Sequence, residues 1–318
     1  MQSVSRASID YFHGLNYLRA LAVLLVLFDH AGINTAFGHL GVDVFFVISG
    51  FVITYSLMAA EFSTISDLRQ FMARRSARLL PAMIVTLILV FPLTLWVMPA
   101  SQFSKFVESF LSAGLLSSNI YFWLNVGYFD GLAELKPLIH TWSLGIEWQF
   151  YILFGCFLVI IQERRARLVL VSIAALLSLG TMLWFEGIAP VATFYLLPPR
   201  AWELLAGVIL AFCLDRLVVN AVSVKFSRVL FMLVSSSIVV WCCSNVALDF
   251  GESTRKLITV FLTLVAIILA IQSKFGKPIG RSVHGVFYVI GISSYSIYLL
   301  HQPLLALLKI EIQQTSNI

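Results

Sequence analysis

Apolar runs of about 20 residues, the length that crosses a bilayer as a helix, recur from one end of the chain to the other. They fall near residues 15–34, 41–60, 79–98, 140–162, 168–185, 201–214, 229–248, 257–272 and 283–306. A weaker segment near 106–124 either crosses or lies in the interface. Backbone groups in hydrocarbon are satisfied only within helices or closed barrels. The pattern therefore predicts an all-α integral membrane protein, a bundle of about nine to ten transmembrane helices. The polar intervals leave no room for a separate soluble domain, so residues 10–310 read as a single membrane domain. The first long run continues into a second without a short apolar core and small-residue cleavage site, and is expected to stay as an anchor.

Composition strengthens this reading. Of 318 residues, 60% are hydrophobic and 12% charged, the latter about half the soluble average. A water-soluble globule, a disordered chain and a disulfide-built secreted module are excluded. The formal charge of +5 is spread thinly rather than gathered into a basic stripe, which excludes an ordinary nucleic-acid binder. Cys156, Cys213, Cys242 and Cys243 sit in apolar runs without metal spacing and are expected to be packing thiols.

Charge becomes informative by position. With the amino terminus cytoplasmic and 106–124 not crossing, 14 of the 21 Lys and Arg residues fall on inside loops, Arg6, Arg75, Arg78, Arg216, Lys277 and Arg281 among them. That asymmetry supports the orientation.

Ionisable residues within spans cost several kcal/mol and usually face a cavity. The first run, LNYLRALAVLLVLFDHAGI, holds Arg19, Asp29 and His30. Arg19 and His30 are eleven residues apart, which puts them within about 20° of one face and about 16 Å apart along a helix. Arg19 also has the option of snorkelling, and His30 that of an interhelical hydrogen bond. In HTWSLGIEWQFY, His140, Ser143 and Glu147 occupy i, i+3 and i+7, one face across two turns. Glu147 needs a neighbour there, and His30 or His140 is the obvious one.

Between the second and third spans, FMARRSARLLPA concentrates Arg74, Arg75 and Arg78 at the membrane surface, with Pro81 just inside the next helix. Guanidinium groups so clustered suit phosphate oxygens. An ordinary positive-inside loop is the plainer alternative. Asp43 opens the second span, Trp142 stands beside Ser143, and Tyr298 and His301 lie near the outer end of the last span, where aromatic anchors are common anyway. Arg200 and Glu203, at i and i+3, suit a structural ion pair more than chemistry. There is no phosphate-binding glycine loop, metal-ligand set or nucleophile elbow in the sequence. Any chemistry then rests on histidine and carboxylate acid–base work, without metal.

Six blocks, LRALAVLLVLFDHAG, GHLGVDVFFVISGF, FMARRSARLLPA, LIHTWSLGIEWQFY, PPRAWELLAG and SYSIYLLHQPLL, resemble in order and spacing the membrane-bound acyltransferase 3 family, bacterial O-acetyltransferases of surface carbohydrates. The resemblance implies about ten membrane helices in the bacterial cytoplasmic (inner) membrane. It implies transfer of an acyl group, usually acetyl from cytoplasmic acetyl-CoA, to a carbohydrate acceptor on the far side. Arg19 and His30 match the family's Arg and His separated by ten residues, and both are expected to be needed. Arg75 and Arg78 match its cytoplasmic arginine pair, and Trp142, Ser143 and Glu147 its Trp-Ser-Glu block. Trp148 stands where the family commonly has a second acidic residue. Some members continue into an esterase-like domain, so an ending at Ile318 suggests a short form or one lacking its final helix.

On this reading Arg75, Arg78 and the deeper Arg19 bind the phosphates of acetyl-CoA. The Arg19 to His30 separation is comparable to an extended pantetheine arm. His30 is the general base on the sugar hydroxyl or a transient acyl carrier, with Asp29 or Glu147 fixing its tautomer and His140 nearby. Ser143, Trp142, Tyr298, His301 and Asp43 are expected on the acceptor side. A proton-coupled transporter or flippase, and a noncatalytic envelope partner, remain the alternatives. The acceptor sugar, the acyl length and the oligomeric state are not legible. Acceptor choice is expected to rest on outer loops such as 125–139 and 186–200.

Overall fold

A computed structural model describes residues 13–33, 37–60, 62–125, 132–217, 223–243, 251–275 and 283–316. Arg6, Lys277, Arg281 and the side chain of Arg216 lie outside the described residues, as does part of the 125–139 loop. Among the described residues there are α-helices and short 3-10 turns and no β-strand. The α-helices are α1 (His13–His30), α2 (Gly41–Ala59), α3 (Ile65–Val97), α4 (Ala100–Gly114), α5 (Ser118–Asn125), α6 (Trp142–Ile160) and α7 (Arg164–Phe185). They continue as α8 (Pro190–Tyr195), α9 (Leu197–Leu217), α10 (Val224–Cys243), α11 (Glu252–Gln272), α12 (Val283–Ile292) and α13 (Ser294–Ser316). Among the described residues, seven helical stretches are long and apolar enough to cross a membrane, at 38–59, 65–97, 139–160, 164–185, 190–214, 224–243 and 252–272.

The expected runs at 41–60, 79–98, 140–162, 168–185, 201–214, 229–248 and 257–272 lie largely on these seven. Three boundaries differ from expectation. The arginine segment is not a loop before a helix: it lies inside α3, which starts at Ile65, so Pro81 falls deep within that helix. The start is set by a reciprocal cap, in which Thr64 Oγ1 accepts from the Asp67 amide at 3.1 Å and Asp67 accepts from the Thr64 amide at 2.8 Å. The segment near 106–124 forms two helices, α4 and α5, about 22 and 12 Å long, each shorter than the roughly 30 Å hydrocarbon core. The chain turns between them at Leu116, whose φ is 55°. The last run, 283–306, is interrupted at Ser293, where α12 ends and α13 begins.

The helices sort into two compact units. The first comprises Met1–Phe62, Gln162–Leu177 and Trp202–Ser294. In it α1 packs against α2, α10, α11 and α12. Small residues let backbones touch: a side chain at Gly50 would sit 1.9 Å from the Leu204 carbonyl oxygen, and one at Gly207 would sit 2.1 Å from that of Val47. That reciprocal contact joins α2 and α9 as closely as helices pack in lipid.

The second unit comprises Ser63–Ile161, Ser178–Ala201 and Tyr295–Ile318. Here α6 packs against α3, α5 and α8. Met83, Thr86, Leu87, Val90 and Thr94 form the buried stripe of α3, while Ile84, Val85, Ile88, Leu89 and Trp96 are exposed. A helix whose buried and exposed faces are both apolar is built for lipid. The protein is a multi-pass membrane protein. Asn119 ties α5 down: its Oδ1 accepts from Gln149 Nε2 at 2.9 Å, and its Nδ2 donates to the Tyr195 carbonyl at 3.2 Å. The four cysteines are free thiols, with Cys242 buried.

Candidate active site

In the second unit a line of polar side chains follows one side of α6. His140 stands in the 3-10 turn (Ile139–Thr141) that leads into the helix and is only 1% exposed. The Tyr298 hydroxyl, from α13, donates to the His140 carbonyl at 2.9 Å and shares a 2.7 Å hydrogen bond with Ser143 Oγ. The rings of His140, Tyr298 and His301 form a triangle with every centroid separation 5.4 Å. His301 Nδ1 lies 2.6 Å from the Tyr298 carbonyl. A carbonyl accepts only, so Nδ1 carries a proton in this contact. Sequence spacing brought His140 and Ser143 together; the structure adds Tyr298 and His301 to them.

Further along α6, Glu147 accepts a 2.8 Å hydrogen bond from the Tyr151 hydroxyl one turn on. Its charge also acts on Arg75, Tyr295 and Tyr298. The Arg75 guanidinium lies over two rings, 5.5 Å from Phe71 and 5.9 Å from Tyr151. Tyr295 donates to the Leu79 carbonyl at 2.9 Å, fixing α13 to α3 a turn beyond Arg75. From Tyr151 to Trp142 the helix rises about 14 Å. The track thus runs from a stacked arginine, past a carboxylate, to a buried histidine pair. Arg75 is half-buried, whereas Arg74 and Arg78 are exposed on the same helix. Three guanidinium groups within five residues suit a polyphosphate, and Arg75 is the one held in place.

Trp142 packs 4.6 Å from Phe194, and the buried Arg200 places its guanidinium 5.4 Å from Trp142 and 5.8 Å from Phe194. This sandwich fixes the first turn of α6 against α8, and it gives Arg200 a ring-stacking role that its sequence spacing did not suggest.

Arg19, Asp29, His30 and Asp43 belong to the first unit. α1 carries both Arg19 and His30, and Arg19 donates to Asn16 Oδ1 at 3.4 Å. Asp29 and His30 close the helix, half-buried. Asp43, 1% exposed, is in the first turn of α2. Around that end gather residues that sequence reasoning missed. His39 Nε2 meets Glu252 Oε1 at 3.1 Å, and Lys256 meets the same oxygen at 3.5 Å. Asp43 and Asp29 act on His39 electrostatically. Arg255 sits 3.6 Å over the Phe37 ring. No spacing signal relates His39 to Glu252, which lie 213 residues apart. Among the described residues, no three His, Cys, Asp or Glu side chains form a metal-holding group.

The first unit carries His39 beside Glu252, and the second carries a buried histidine pair, with Glu147 and the ring-stacked Arg75 further along α6. Such groups can bind an anion, orient an imidazole and move a proton. Residues 12–315 match the family described as an acyltransferase domain. YrhL of Bacillus subtilis strain 168 is 32% identical over 329 residues, covering 96% of this chain and 50% of the relative. The peptidoglycan O-acetyltransferase OatA of Listeria monocytogenes is 30% identical over 96% of this chain and 51% of its own length. The O-acetyltransferase OatA of Staphylococcus aureus is 32% identical over 93% and 51%. The chain spans about half the length of the curated relatives it matches. No solved structure matches it.

Proposed function

Given that this chain belongs to the acyltransferase-domain family, we propose that it moves an acetyl group from cytoplasmic acetyl-CoA to a hydroxyl of an extracytoplasmic carbohydrate. Peptidoglycan, which the Listeria relative's name specifies, is the first acceptor to test. The protein lies in the bacterial inner membrane with its amino terminus in the cytoplasm, as one catalytic domain over residues 10–310. It crosses nine to ten times, α1 and the α12–α13 stretch adding to the seven apolar spans.

Acetyl-CoA supplies an activated thioester carbonyl. Arg75 and Arg78, both on α3, bind its phosphates. The half-buried, ring-stacked Arg75 suits this role because a guanidinium held in place loses less entropy on gripping an anion. His30 takes the proton from the acceptor hydroxyl as general base, and the adjacent Asp29 orients its ring. In the second unit His140 and Glu147 supply acid–base groups, and Ser143, Trp142, Tyr298 and His301 shape an acceptor side. The observation that supports this reading is the polar track along α6, from the ring-stacked Arg75 past Glu147 to Ser143, Tyr298 and the buried His140.

The test is to incubate membranes containing the protein with labelled acetyl-CoA and follow label into glycan. The expected result is transfer by the wild type and a loss of about 10² to 10⁴ in rate for His30→Ala, with the variant still inserted. Solute or proton flux without acyl product would instead identify a transporter. Full activity in His30→Ala would remove that residue from the chemistry.

A further inference from the structure

A pocket of about 540 Å³ opens within the second unit between α4, α5 and residues 132–137. The geometry points to this pocket as the subsite that holds a pyranose ring of the carbohydrate acceptor, an inference that rests on the acyl-transfer reading above.

Its position comes first. The pocket begins at Met98, just beyond the end of α3. Nineteen residues separate Arg78 from Val97, a rise of about 29 Å, close to the roughly 30 Å hydrocarbon core. The pocket therefore lies at the membrane face opposite to the arginines assigned to CoA. A donor bound at one face leaves the other for the acceptor.

The lining chemistry agrees. Gln102, Lys105, Glu108, Tyr121, Phe122 and Asn125 all line it. The Tyr121 hydroxyl donates to Glu108 Oε2 and to the Lys105 carbonyl, each at 3.2 Å, so the ring and the carboxylate are fixed relative to one another. Asn125 Nδ2 donates to the Tyr121 carbonyl at 2.9 Å and closes the same group. Aromatic faces suit the C–H side of a sugar ring, while a carboxylate, an amide and an ammonium suit its hydroxyls. A lipid tail would find too many polar groups there, and with one carboxylate between Lys105 and Lys136 a polyphosphate would find too little net positive charge.

The pocket is also wired to the histidines. Gln302, next to His301, donates to the carbonyls of Lys136 at 3.2 Å and Glu134 at 3.4 Å. Lys309 meets Glu134 at 2.6 Å. α13 thus holds the 134–136 wall. Three residues of chain separate Pro137 from His140, at most about 11 Å. The pocket wall thus runs directly into the turn that carries the buried His140.

The experiment uses the purified full chain with acetyl-CoA and a β-1,4-linked N-acetylglucosamine tetrasaccharide. Glu108→Gln and Asn125→Ala should each raise the KM for saccharide about tenfold, the size expected for one lost hydrogen bond, charged or well placed. The KM for acetyl-CoA should stay within about twofold of wild type. An unchanged saccharide KM, or a parallel rise for acetyl-CoA, overturns the assignment. Both side chains are exposed, so an unshifted melting temperature will confirm that the variants fold. A separate titration of the tetrasaccharide without acetyl-CoA, read by tryptophan fluorescence, separates the two hypotheses. Saturable binding that the variants weaken supports the pocket even where no acetyl is transferred, in which case only the acyl-transfer reading fails. No binding by the wild type overturns the pocket even where another acceptor is acetylated.

Discussion

Tyr298 and Ser143, 155 positions apart in the chain, share a 2.7 Å hydrogen bond in a buried site, and the same tyrosine hydroxyl also holds the His140 carbonyl. One phenol thus fixes the start of α6 to α13 and sets where His140 stands. Tyr298→Phe keeps the ring and removes the oxygen. It should cost about 1–3 kcal/mol, the range for a buried partner left unmet, seen as a lower melting temperature in detergent. Acetyl transfer should fall in the same variant, because the His140 backbone loses an anchor. A Tyr298→Phe protein with unchanged melting and unchanged turnover would show that α6 and α13 are held by apolar packing alone.

Arg75 and Arg78 differ in setting although both belong to α3. Arg75 is stacked on Phe71 and Tyr151, whereas Arg78 is exposed. Arg75→Lys keeps the charge but loses the planar stack, and should raise the KM for acetyl-CoA about tenfold. Arg78→Lys should change it by about threefold or less, since an exposed cation acts mainly as a point charge. Steady-state kinetics at fixed saccharide tells the two apart, and equal effects would argue against a fixed guanidinium.

The reciprocal contact of Gly50 with Leu204 and Gly207 with Val47 leaves no space for a methyl group. Gly50→Ala or Gly207→Ala should destabilise by about 3 kcal/mol, the upper part of the usual overpacking range, read as reduced yield of monodisperse protein. Gly180, on α7, meets nothing within 4 Å. Gly180→Ala should be neutral or stabilising by up to about 1 kcal/mol through helix propensity, which makes it the matched control.

His39, Lys256 and Glu252 form a three-membered cluster in which Lys256 is 3% exposed. Removing the carboxylate with Glu252→Ala should cost more than His39→Gln, because it takes the acceptor away from both His39 and Lys256 while His39→Gln leaves the Lys256 contact in place. With Glu252 itself partly exposed, a difference of about 1 kcal/mol is expected rather than the several kcal/mol of a dry pair. Thermal unfolding of both variants measures it.

Much of the architecture was legible because lipid imposes it. Runs such as 41–60 and 257–272 had to become helices, as nothing else satisfies their backbones in hydrocarbon. Boundaries set by local polar contacts were harder. The start of α3 depends on Thr64 and Asp67, outside any apolar run. The break at Ser293 falls one residue before the end of the first unit at Ser294, and hydropathy does not record such a division. Within the site, helical spacing brought out His140, Ser143 and Glu147 together. The hydrogen bond from Tyr151 to Glu147 was legible only as a spacing: the two stand one turn apart on the same helix, and that alone does not mark a tyrosine as a donor. The pairing of His39 with Glu252 and the lining of the 540 Å³ pocket arise from tertiary folding, and no periodicity encodes them.

At 33 residues, α3 is about 50 Å long, some 20 Å more than the oily layer it has to cross. The rod carries Arg75 toward one end and reaches the wall of the sugar pocket at the other. When a bacterium changes the chain length of its phospholipids, as with growth temperature, this helix must lean or slide to keep its apolar stretch covered. Both ends then shift relative to the headgroups in the same motion. Membrane thickness is thereby felt at once by the Arg75 end of the rod and by the pocket that begins at Met98.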